Sequence, residues 1–180
     1  MRGRTLGAIL AVSILGTACT PTPPPSEAAG GACAEDLPPK TSPTDYPQAV
    51  LHAAGDDLAP VVGEVEWLGG DAPVATVAPR AVHLQRFIVL QLQGVSEISL
   101  RMTDSVSIAV WQVWAIPDVS FRAGDIESGT EWGSGSQITD LVCVPIVDGA
   151  WAIRAEITFA DEGGHGTFYW RLNLSESANP

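Results

Sequence analysis

From Ala150 to Leu174 the chain alternates apolar and polar residues with a period of two. In "AWAIRAEITF", Trp151, Ile153, Ala155, Ile157 and Phe159 alternate with Ala152, Arg154, Glu156 and Thr158. In "TFYWRLNL", Phe168, Trp170, Leu172 and Leu174 alternate with Thr167, Tyr169, Arg171 and Asn173. Period two places one set of side chains in a core and the other in water. The glycine-rich "ADEGGHG" between the two runs predicts an antiparallel hairpin.

Weaker versions of the pattern recur upstream. "RFIVLQLQG" and "SEISLRMT" read as strands on either side of Gly94, and "SVSIAVWQVWAIP" as a longer strand that stops at Pro117. "TDLVCVPIVDG" is almost continuously apolar, as a central strand is, with Pro145 marking a bulge or an end. "VVGEVEWLGG" and "APVATVAP" read as shorter strands. "YPQAVLHAAG" fits a strand slightly better than a short helix. Seven to nine short strands with no long helix predict an all-β fold, an antiparallel, immunoglobulin-like β-sandwich over residues 46–180. The Cys, Trp and Cys spacing of antibody domains is missing, so the expectation concerns architecture only.

The first 45 residues follow different rules. Arg2 and Arg4 precede an apolar run of 11 residues, Leu6 to Gly16, which is too short to span a bilayer. Small residues lead into Cys19. Residues 1–18 thus read as a secretory signal, and the junction resembles the lipobox of bacterial lipoproteins. Thr17 and Ala18 fit that pattern, while Gly16 stands where the family usually has leucine. The resemblance covers about the first 20 residues. It implies that Cys19 is acylated (palmitate or a similar chain) and holds the protein to a membrane outside the cytoplasm. More than one acyl chain is needed for stable anchoring. Residues 19–45, with "TPTPPPSEAAGGA" and "PPKTSPTDYP", are too rich in Pro, Ser, Thr and Gly to form a core and predict an extended stalk.

With Cys19 acylated, Cys33 and Cys143 remain. An even remainder in an oxidising compartment favours a disulfide between them. The bridge closes a loop of about 110 residues, worth roughly 4–5 kcal/mol in the chain-entropy model. The alternative is a buried Cys143 thiol and a free Cys33.

Charge narrows the function. From Cys19 onward seven basic residues face 21 acidic ones, a surface that repels phosphate backbones and excludes nucleic acid as a partner. In the hairpin loop, Asp161, Glu162 and His165 offer oxygen and nitrogen ligands to a divalent cation. The plainer reading of that loop is a polar turn whose glycines supply positive φ. For hydrolysis, "EWGSGSQ" places Ser134 and Ser136 among glycines without the G-x-S-x-G elbow, and His52, His83 and His165 are scattered. No resident cofactor is implied.

The tryptophans carry more. Trp67, Trp151 and Trp170 read as core. Counting from Val106, Ile108 and Val110 inward, the register of the long strand turns Trp114 inward and Trp111 outward, toward a partner's apolar side chain or a sugar ring, unless a bulge intervenes. Trp132 lies among small residues and either plugs the sandwich or meets a ligand. Trp111 and Trp132 are therefore the candidate ligand-binding residues. The expected function is a non-enzymatic binding or interaction module at the bacterial cell envelope, its partner an envelope protein or glycan. A divalent-metal-binding protein is the alternative, and a hydrolase with dispersed residues the third reading.

Overall fold

The computed structural model describes residues 46–69, 74–76, 82–161 and 163–175. Residues 1–18, read above as a signal segment, and Cys19 and Cys33 lie outside the described residues. Eleven strands form two sheets: β1 (Ala49–Ala53), β2 (Asp56–Leu58), β3 (Val61–Trp67), β4 (Val74–Thr76), β5 (Val89–Gln93), β6 (Glu97–Met102), β7 (Ile108–Pro117), β8 (Thr130–Gly135), β9 (Leu141–Pro145), β10 (Gly149–Phe159) and β11 (Gly164–Ser175). A 3-10 turn (Val82–Leu84) and one five-residue helix, α1 (Asp118–Arg122), complete them. No helix among the described residues is long and apolar enough to cross a membrane.

The four-stranded sheet has the order β2-β1-β6-β9. The seven-stranded sheet runs β4-β3-β11-β10-β7-β8, and β5 adds to β11 in parallel, the one parallel pairing among the described residues. β10 and β11 pair over ten residues, from Gly149↔Leu174 to Thr158↔His165, as the alternation predicts. The sheets meet through the apolar half of each pattern. Leu51, Leu100, Met102, Val142 and Val144 from the small sheet share one core with Val65, Val113, Ile153, Ile157, Phe168, Trp170 and Leu172 from the large one. Burying each of the larger side chains contributes about 1.5–3 kcal/mol. The Trp170 Nε1–H donates to the Leu58 carbonyl at 2.9 Å and so ties the two sheets together by a polar contact.

Two elements depart from the sequence expectation. The apolar "LVCVP" segment forms β9, an edge strand, where its pattern predicts a central one. It ends at Pro145, which cannot donate to a ladder. The "ESGTEWGSGSQ" segment, expected as a loop, supplies β8, the other strand at that edge of the sandwich. Neither glycines nor acids favour a strand, so β8 owes its form to β7 beside it.

Candidate functional site

The facing of the tryptophans is decided by two register shifts. Thr158 pairs with Val110 but Phe159 pairs with Ile108, which leaves Ala109 as an extra residue in β7. A bulge of this kind reverses the facing of all that follows it. Ile108 therefore points inward beside Phe159, Val110 points outward beside Thr158, and Trp111 points inward again, opposite Ile157. The expectation of an outward Trp111 is corrected: its ring is half-buried against the main core. Trp114 is the outward tryptophan, opposite Arg154.

Trp111 finds its space on β8. A Cβ at Gly135 would come within 2.7 Å of the indole nitrogen, and one at Gly133 within 3.2 Å of the ring. These two glycines are a shelf for the indole, which explains the glycine-rich sequence of the strand. A second shift, between Val113↔Gly133 and Trp114↔Glu131, makes Trp132 the extra residue of β8. Trp132 packs edge-on against Trp151, with ring centroids 5.5 Å apart, and both lean on the core. Both candidate ligand-binding tryptophans thus help close the sandwich.

The polar half of the pattern builds a different surface on the outer face of the seven-stranded sheet. One end of this face is covered. Val82, Phe121, Ile116, Ala152 and Tyr169 form a second apolar cluster beneath the 3-10 turn and α1. Arg171 clamps Asp118 of α1 with two hydrogen bonds, at 2.6 and 2.9 Å. Burial of Tyr169 pushes its hydroxyl pKa up. Next to this cluster lies Arg154, only 7% exposed. Its guanidinium donates to the Ile126 carbonyl at 3.1 Å and to Glu127 at 2.9 Å, approaches Glu156 at 3.2 Å, and lies 5.3 Å from the centre of the Trp114 ring.

Beyond Arg154 the face is open. A groove of about 260 Å³ crosses β7, β10 and β11, lined by Val110, Gln112, Glu156, Thr158, His165 and Thr167, with Trp111, Ile157 and Gly166 also along its wall. Val110 is 46% exposed, an apolar side chain within a polar frame. Gln112 and Ser134 both donate to Glu131, at 2.8 and 2.6 Å, and these bonds hold its carboxyl below the usual range. The flank toward β3 carries Glu66, whose carboxylate lies 3.4 Å from His165 Nδ1. The groove shows hydrogen-bonding groups of both kinds around an apolar floor, which suits recognition of a ligand or partner surface.

The other predicted residues are dispersed. Asp161 is exposed in the turn with φ 57, Glu162 lies outside the described residues, and His165 is in the groove beside Glu66. Among the described residues no group of three His, Cys, Asp or Glu side chains is placed to hold a metal ion. Gly164 explains its own place in the loop: at φ +97, a Cβ there would stand 2.1 Å from the Glu66 carbonyl oxygen. His52 Nδ1 lies 2.7 Å from Asp57, and Ser99 is opposite His52 on the next strand. Ser99 is only 4% exposed, which closes it to a substrate. Cys143 is half-buried on β9, opposite Ser99. The groove itself was not foreseeable strand by strand, because it requires the mutual register of three strands.

No family model matches the chain, and no curated protein matches it. Among solved structures it is similar to a lytic polysaccharide monooxygenase of Jonesia denitrificans, determined by neutron crystallography. That likeness has 8% sequence identity and a TM-score of 0.34, and it covers 51% of this chain and 61% of the other. A likeness of that size carries no argument about this protein.

Proposed function

We propose that the protein is a lipid-anchored binding module of the bacterial cell envelope, and that it engages its partner through the outer face of the seven-stranded sheet. The observation that carries the reading is the groove at Val110, Thr158 and His165, an open surface with an apolar floor and polar groups around it, beside a covered one. The N-terminal resemblance to lipoproteins supports the anchor, with Cys19 as the acylated residue. The Pro-rich stretch over residues 19–45 supports a stalk.

The bridge from Cys33 gives the module an orientation. The sulfur of Cys143 is disulfide-bonded, and Cys33 is the cysteine left over once Cys19 is acylated. Cys143 faces out from the four-stranded sheet, whereas the groove faces out from the seven-stranded one. A stalk fastened at Cys143 therefore leaves the groove on the side of the sandwich away from the attachment.

A photo-crosslinking residue at Thr158 in the full chain, expressed in its own host, tests the reading. The expected result is a discrete envelope adduct from Thr158 and none from Asp57 on the opposite sheet. Equal labelling from both positions, or none from Thr158, counts against the groove. Metabolic labelling with a fatty-acid analogue tests the anchor separately, and label that survives Cys19→Ser removes it.

A further inference from the structure

On the outer face of the four-stranded sheet two polar side chains are buried without a described element to bury them. Leu51, Leu100 and Val142 point into the core, so His52, Ser99, Arg101 and Cys143 point the other way. Yet Ser99 is 4% and Arg101 5% exposed. The described strands beside β6 are β1 and β9, both in the plane of the sheet. A guanidinium on an uncovered face keeps its head in water. The contrast with Asp57 is direct, since this carboxylate hydrogen-bonds Arg101 and remains 47% exposed. Arg101 also makes an interaction beyond those described above.

We infer that this face is a docking surface for the chain's own segment from Cys33 to Asp36, with the carboxylates of Glu35 and Asp36 seated on Arg101. The inference rests on the Cys33–Cys143 bridge proposed above. Spacing supports it: Cys143 stands opposite Ser99, and Arg101 is two residues farther along β6, about 7 Å away. Glu35 is two residues and Asp36 three from Cys33, so an extended segment covers the same distance, about 7–10 Å. Charge agrees as well. "CAEDL" brings two acids to a buried cation in a domain otherwise crowded with acids, and a planar guanidinium has five donors with which to receive them. The docked segment makes the end of the stalk part of the fold. The free tether is then the stretch between Cys19 and Cys33, about half of the residues from Cys19 to β1.

A double-mutant cycle in the full chain carrying Cys19→Ser tests the seat. Glu35→Gln with Asp36→Asn should lower the melting temperature by about 2–4 °C when Arg101 is present and leave it unchanged beside Arg101→Gln. The cycle subtracts the loss of the Asp57 contact, which Arg101→Gln suffers in both arms. If Arg101→Gln does not fold, Arg101→Lys, which keeps the charge and loses the fork, takes its place. A peptide map under non-reducing conditions reads the bridge independently. Coupled shifts together with a Cys33–Cys143 peptide support the inference. Additive shifts overturn the seat even with the bridge in place, and absence of that peptide overturns the bridge and the inference with it.

Discussion

The two outer faces of this sandwich have opposite character although the same rule of alternation builds both. On the seven-stranded sheet the outward residues beyond Arg154 are wet, and Val110 is left 46% exposed among Thr158, Thr167 and His165. On the four-stranded sheet Ser99 and Arg101 are outward and almost fully buried. A polar residue on the outer half of a strand is therefore no guide to solvent. What matters is whether another part of the chain lies over it, and the segment proposed to dock beside Cys143 would account for the difference.

The comparison breaks most severely at Cys143. Cys143→Ser should cost about 4–5 kcal/mol by the loop-closure model for a bridge to Cys33, read as a lower denaturant midpoint. Ser99 and Arg101 should gain solvent, while exchange protection in β10 and β11 changes little. The next largest effect belongs to the other face. Arg154→Ala removes a side chain stacked on Trp114 and bonded to Ile126 and Glu127. Lost packing and unpaired partners together predict about 2–3 kcal/mol, measured by chemical denaturation. The tryptophan fluorescence should shift with it, since Trp114 loses its cover.

Within the open groove the expected stability effect is smaller by far. Val110→Asp and Thr158→Arg alter exposed side chains with no core contact, so each should stay within about 0.5 kcal/mol of the parent. Partner capture in the native host should nevertheless fall for both. Capture that survives both substitutions moves the binding surface elsewhere.

Much of the architecture could be read from the sequence because alternation is a local property. The β10–β11 hairpin appears as period two in the residues themselves, and its ten-residue ladder follows. The facing of Trp111 could not be read so. It turns on one extra residue at Ala109, in a run with no glycine or proline to mark a bulge. β8 was hidden for the opposite reason, since Gly133 and Gly135 read as loop residues while their function is to admit the Trp111 ring. The edge position of β9 was hidden too. Its outward residues Leu141 and Cys143 are half-buried, so an edge strand has the apolar composition of a central one. The groove shares the limitation of Trp111, because its side chains belong to three strands whose register is tertiary.

The smallest expected effect is also the one that separates the two faces by pH. Burial acts to raise the Asp57 pKa, but hydrogen bonds with His52 and Arg101, together with their positive charge, outweigh it and leave the pKa below the ordinary 3.8. A carboxylate with a depressed folded pKa contributes stability above its unfolded value, and that contribution disappears as the pH falls through the folded one. Acid below about pH 4 should thus loosen β1 and β2 on the four-stranded sheet. Half-exposure and solvent screening keep the effect small. Asp57→Asn should abolish this component of the acid transition, followed by circular dichroism, with little change at neutral pH in the groove. A transition that keeps its midpoint and slope in Asp57→Asn would assign the acid sensitivity to other carboxylates and leave the two faces alike in their response.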